Sequence, residues 1–459
     1  AQFRRQRQMC IRDSLAGAGG SSGGFSFAGN ISLTENKISN TVESYINTNS
    51  NVYSAGAVTV DAIDSSSIKM DAGAGNLALG KSSSAAGTIS FGAGVAKNTI
   101  DNTIRSYVDS STVNSLGAMS VTARDTSTID AVAIGGAISV SISGGASGSG
   151  AGAGASIDNT ITNGIESFIQ NGSTIVTGGN LSLKAENTAS ITSRSIGGSL
   201  SVAKAAGASG AVSIGTAIVN NNLGTDSKRH SVRAYIGADG NVYDTTRVNT
   251  TGNVSLTANS NPNLDTIAVA ASAAIAASAV GAAFSGAGGS INNNLKTTTA
   301  TIIQNNPITP LGDTIIATGA VTLNATETPT ITSKMGAGLA VVGLVGGSIG
   351  VSQIRTTIDS DINSFIDGVN VKSNSGLSQV NAISNATVND LSVATSIAVS
   401  VGGAGAGADA KAVTNARVNA YIADDATFNG NSLEVKAISN ENLKTEVYGI
   451  SARISHKLI

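Results

Sequence analysis

Two stretches of this 459-residue sequence match G-x-S-x-G, Gly346-Gly347-Ser348-Ile349-Gly350 and Gly19-Gly20-Ser21-Ser22-Gly23. In a hydrolase that motif is a strand-to-helix turn that lifts a serine towards a histidine and an acid. The chain has two histidines, His230 and His456, and its 55 Gly make chance matches common, so neither match nominates a triad. Asp359-Ser360-Asp361-Ile362-Asn363 imitates the opening of a calcium loop, whose sixth residue should be Gly and whose twelfth should be Glu; here the sixth is Ser364. In an extended strand, 359, 361 and 363 would point outward together. The calcium-binding nonapeptide of RTX solenoids is absent. Gly-rich runs such as GSGAGAGAS from Gly148 lack the Gly-Lys-Ser/Thr of a phosphate loop. Acids are scattered singly, so no carboxylate pair is nominated for glycoside cleavage. The expectation is no catalytic, cofactor-binding or metal-ligating residue and no cofactor. GTDSKRH from Gly224 is the mid-chain cluster of positive charge, read as an exposed, solvated loop that could meet an acidic partner.

The other basic cluster is RRQRQMCIRDS, Arg4 to Ser14, which holds Cys10, the single cysteine. A secretion signal would need about 7 to 15 apolar residues next, but LAGAGGSSGG follows. The eleven residues back-translate to the transposase adapter of short-read library preparation. Residues 1–14 are therefore read as a sequencing-adapter artefact rather than a signal or a nucleic-acid arm, and are set aside. What remains has 23 basic and 28 acidic residues and no cysteine, which removes disulfides and thiolate metal sites.

Charged residues are 12% of the chain, about half the usual ~25%. Ser, Thr, Asn and Gly take their place, Trp is absent and aromatics are 3%. The hydrophobic 41% is largely Ala, Val and Ile, which predicts a narrow, repetitive core. Disorder would need lower hydrophobicity and higher net charge. Apolar runs are broken by Ser or Gly before 18 residues, so a membrane-spanning helix is not expected.

One unit recurs: ISNTVESYI from Ile38, IDNTIRSYV from Ile100, ITNGIESFI from Ile161, SVRAYI from Ser231, TATII from Thr299, DINSFI from Asp361 and VTNARVNAYI from Val413. Its anchor position falls at Tyr45, Tyr107, Phe168, Tyr235, Ile302, Phe365 and Tyr421, at intervals of 62, 61, 67, 67, 63 and 56 residues. After each anchor comes an alternating stretch, VTVDA ending at Ala62, MSVTA at Ala123, LSLKA at Ala185 and their equivalents. Apolar residues at every second place predict strands buried on one face. Turns such as SAGAV from Ser54 and SLGAM from Ser115 are where positive φ is expected. A Gly and Ala-rich tract completes the unit. A helix is the alternative for IAVAASAAIAASAVGAAF from Ile267, but Gly and β-branched residues in the equivalent tracts favour a strand.

Short strands, small residues and Asn or Gly corners predict an all-β parallel β-helix, a β-solenoid of about seven degenerate repeats of roughly 63 residues, continuous over 15–459 and cut at both ends. With roughly 20 residues per coil, each unit would make about three coils and the whole a rod on the order of 100 Å. Val, Ile and Ala are expected to form the dry interior, with the anchor rings buried between coils. Pro262, Pro307, Pro310 and Pro329 predict corners or a bulge.

The unit N-T-[IV]-x-[SA]-[YF]-[IV], then x-V-x-V-x-A and a Gly-Ala-Gly tract, resembles the repeats of large bacterial filamentous surface proteins. The resemblance is to leukotoxin-type filamentous adhesins of fusobacteria and, more loosely, to filamentous haemagglutinin-like exoproteins, and it covers 15–459. It implies a secreted or cell-surface protein, extracellular or on the outer surface of a bacterium of Gram-negative type. There it would act as a structural or adhesive shaft binding a host or bacterial surface ligand, not nucleic acid, and not as an enzyme. The alternative is the repeat region of a secreted toxin or β-helix carbohydrate-active enzyme whose active part lies elsewhere.

Overall fold

The computed structural model describes residues 5–20 (5–14 by backbone alone), 23–237, 245–305 and 314–454. Pro307, Pro310 and His456 lie outside the described residues, as do Ser21 and Ser22 of the first G-x-S-x-G match. Among the described residues the chain is all-β without a helix, and its strands pair in parallel in three sheets of 8, 12 and 12 strands. The Ala-rich tract runs from strand Asn263–Ala277 round a turn into strand Val280–Gln304, as its kinship with the Gly-containing tracts requires.

One turn of the chain shows the path. Thr128–Ser143 runs in the first sheet, reverses at Gly144 and Gly145, and returns as Ala146–Ile161 in the second. Gly164–Gln170 continues that sheet, and Thr174–Thr177 and Leu181–Asn187 form the third before Ser190–Ala205 begins the next turn. Ser190 is the ladder partner of Thr128, 62 residues earlier. One sequence unit therefore closes one coil, not three of about 20 residues. Eight stacked strands in the first sheet span about 34 Å, well short of the expected 100 Å. A coil ends where the chain meets its own ladder partner, and here the 16-residue strands carry it far out and back first.

The coil is flattened into two regions. In the base, where the third sheet faces the second, alternation works as expected: Ile104, Val113, Val121, Ile165, Leu183 and Leu256 point inward and pack together. The adjoining root of the long strands adds Ile68, Ile129, Ile157 and Ile191. Beyond that root the first two sheets continue as a thin blade. Its inward positions are mostly Ala, Ser and Gly, and the sheets approach so closely that a Cβ on Gly135 would lie 1.9 Å from the carbonyl oxygen of Gly154. Gly197 meets Thr216 in the same way.

The corners depart from expectation. Positive φ occurs after the anchor strand, at Thr48, Asn49, Ser110, Asn171 and Gly172, and not in SAGAV or SLGAM, although the equivalent turn of the sixth unit has it at Gly376. Gly117 is needed there for room, since a Cβ would meet the backbone of Gly56 and Ala57 at 2.8 Å. Pro262 and Pro329 sit at corners between strands, where each carbonyl still accepts a bond from the next coil, from Thr330 and Thr387.

Candidate binding surface

The motifs that suggested chemistry are absorbed by the ladders. Ser348 points into the blade within strand Val345–Asp367, its hydroxyl 2.6 Å from that of Ser396, with no turn to lift it. Asp359 and Asp361 do share the outer face, but they face cations: Arg229 lies 3.3 Å from Asp359 and 3.2 Å from Asp361, and Arg417 also pairs with Asp361. Arg229 further donates to the backbone oxygens of Thr297 and Asp359, at 2.8 and 2.7 Å. Lys228 pairs with Asp101. The tip of the basic loop, Asp226 to Lys228, is exposed as expected, while Arg229 ties the loop to neighbouring coils, and the acidic groups it meets are intramolecular. No group of three metal-binding side chains occurs among the described residues.

A polar seam lines the interior where the second sheet turns towards the third. Asn40, Asn102 and Asn163 each donate a backbone N–H to the side chain one coil on, at 2.7, 2.8 and 3.2 Å, and the last acceptor is Nδ1 of His230. Facing this column, Asp64 accepts from Asn102 and Ser127, and Asp125 accepts from Ser127 and Asn163. Glu327 accepts from Thr297, Thr299 and Ser360. Burial disfavours charge at each such site. It pushes Asp125 up to about 6 against the bonds from Ser127 and Asn163, raises Glu327, and pushes His230 down to about 3, with Lys228 adding to the effect.

The anchors form a single column on the outside of the base. Ladder pairing joins Tyr45 to Tyr107, Phe168, Tyr235, Ile302, Phe365 and Tyr421 in turn. The rings of Tyr107, Phe168 and Tyr235 stack at 4.7 and 4.8 Å, nearly parallel, and Phe365 and Tyr421 at 4.8 Å; Ile302 interrupts the stack. The expected burial of the rings between coils is met on the outer face of the base, not in its interior. They face outward and cover one another, so Phe168 and Tyr235 are buried while Tyr45 and Tyr421 at the ends are exposed. Beside them runs a column of alternating charge in which Arg105 lies 3.7 Å from Glu43 and 2.9 Å from Glu166, and Arg233 lies 3.6 Å from Glu166.

The blade inverts the usual distribution. Its interior is joined by hydroxyl pairs across the two sheets, Ser139 to Thr88 at 2.8 Å, Ser199 to Ser213 at 2.8 Å and Ser272 to Ser285 at 2.7 Å. Its exterior carries the large side chains, with Ile138 42% exposed on one face and Ile214 52% on the other. On the second face, Val212, Ile214, Phe284 and Ile349 rim a groove of about 590 Å³ floored by Gly286, Gly347 and Gly405. The expectation that Val and Ile fill the interior holds in the base and fails here. A signal was present in AIGGAISVSIS, where one parity is all small or hydroxylic and the other holds the Ile and Val.

The arrangement defines a β-helix-like all-β protein in which Asp64, Asp125, His230 and Glu327 are bound into an interior seam and the outer faces carry repeated rows. Comparison with family models, curated proteins and solved structures finds no match to this chain.

Proposed function

We propose that the chain is the structural and adhesive shaft of a secreted or cell-surface bacterial protein of filamentous-adhesin type, built from about seven related units of roughly 63 residues, one coil each. One observation carries the reading: equivalent residues of successive units are ladder partners, as Tyr45 is to Tyr107 and Tyr107 to Phe168, so the surface is one pattern repeated along an axis. Such a surface meets a partner many times weakly, and avidity supplies the strength. Asp125, Glu327 and His230 serve the stack rather than a cleft, which supports a non-enzymatic role.

Removing residues 128–189 joins Ser127 to Ser190, the ladder equivalent of Thr128, and so deletes one coil in register. Binding of the full chain and the shortened chain to matrix-coated surfaces tests the proposal. A shaft keeps its fold and loses avidity by a graded factor. All-or-none loss with an intact fold would point to a single site and overturn the reading.

A further inference from the structure

The blade exposes apolar side chains on two opposite faces, and large exposed apolar surface marks an interaction site. The extent of that surface indicates what covers it. On the first sheet a row of charge crosses the root at Asp71, Arg194 and Lys334, and the next charges are Lys81 and Lys204 near the tip. Between these rows the six strands from Ser67–Ser82 to Thr387–Val399 carry no charged residue over about ten residues, or about 33 Å. On the second sheet the corresponding row is Glu35, Lys97, Asp158 and Arg355. Asp71 lies eleven residues before Ser82 at the tip, and Lys97 lies twelve after Ala85. The charge rows on the two faces are thus at the same depth, as though one plane cut both.

We infer that the blade is a lipid-inserting element: its two outer faces enter the hydrocarbon of a bilayer, strands along the membrane normal, with the root charges at the headgroups. A second copy of this chain would cover one face and leave the other bare, whereas a bilayer covers both to a common depth of about 30 Å. Lipid requires backbone groups to be satisfied internally, and each strand between the ends of its sheet is paired on both sides. The interior hydroxyls of Ser199 and Ser272 likewise have partners across the blade. Lys81 and Lys204 each sit one residue from the end of their strand, within reach of the far headgroups by snorkelling. The end strands of each sheet need a neighbour, so insertion is accompanied by edge-to-edge association of chains.

This inference deepens the binding-surface reading and rests on it, and the two are tested apart. The chain lacks Trp, so full-length Ile214→Trp and Tyr107→Trp variants report on blade and base. With phosphatidylcholine vesicles, the chain is expected to float with the lipid and stay bound in high salt. The Ile214→Trp ring should be quenched by bromine on the acyl chains and the Tyr107→Trp ring should not. Ile138→Lys and Ile214→Lys, both on the outer faces, should keep the melting profile and weaken partitioning at least about tenfold. Folded chain left in the aqueous layer overturns the inference, as does flotation that needs phosphatidylglycerol and is reversed by salt. So does an Ile214→Trp ring shielded in a lipid-free assembly, which would make a second copy the occupant. Binding to lipid-free matrix in any of these cases leaves the shaft intact.

Discussion

Asn163 donates its backbone N–H to Nδ1 of His230 at 3.2 Å, so a histidine stands in a column whose two earlier acceptors, Asn102 and Asn163, are asparagines. The neutral ring is required, because a protonated Nδ1 cannot accept. Burial holds the pKa near 3, below the ordinary 6.5. The folded state therefore refuses a proton that the unfolded chain takes, and His230 contributes stability above pH 6.5 that is lost as pH falls towards 3. His230→Asn keeps an acceptor in the rung and is expected to flatten the stability profile over that window in urea unfolding at a series of pH values.

Asp125 works in the opposite sense. Its folded pKa of about 6 lies above the ordinary 3.8, so its contribution is fully present below about pH 4 and declines as pH rises through 6. Asn187 is its ladder partner in the next coil, which shows that the column tolerates an amide. Asp125→Asn is expected to remove up to about 3 kcal/mol of that pH dependence. The measurement is the slope of unfolding free energy between pH 4 and 6.

Tyr107 stacks on Tyr45 at 5.1 Å and on Phe168 at 4.7 Å. Each stacked pair contributes about 0.5 to 1.5 kcal/mol, so Tyr107→Ala should cost about 1 to 3 kcal/mol, and more than Tyr45→Ala at the column end. Conversely, Ile302→Phe would bridge Tyr235 and Phe365 and is expected to raise stability by about 1 kcal/mol. Thermal melts of the three variants check the order.

Gly135→Ala would place a methyl 1.9 Å from the Gly154 carbonyl oxygen, and opposed backbones have nowhere to retreat. A loss of more than about 3 kcal/mol or local opening of the blade is expected. Gly148→Ala, on the outer side with nothing within 4 Å of its Cβ, is the control and should be near neutral. Hydrogen exchange across 130–160 in both variants separates a blade effect from global unfolding.

Much of this architecture is legible before folding. Tyr45, Tyr107 and Phe168 recur at nearly constant spacing because they are stacked on one another, and the spacing is the ladder offset itself. The alternation in MSVTA and LSLKA names strands with one buried face, and Val121 and Leu183 do point inward. His230 gave no such sign, because only its alignment with Asn163 shows what it replaces.

The sequence alone determined that the chain is a repetitive strand former with two chemically distinct faces, since the period of two is a property of the extended backbone. It did not determine which face is inside. In the base, Ile and Val fill the space between sheets, whereas in the blade Gly135 and Gly197 let the backbones touch and the Ile and Val are turned out. That choice, like the length of the coil, depends on how near an opposing sheet comes, and that distance exists only once the chain has closed on itself.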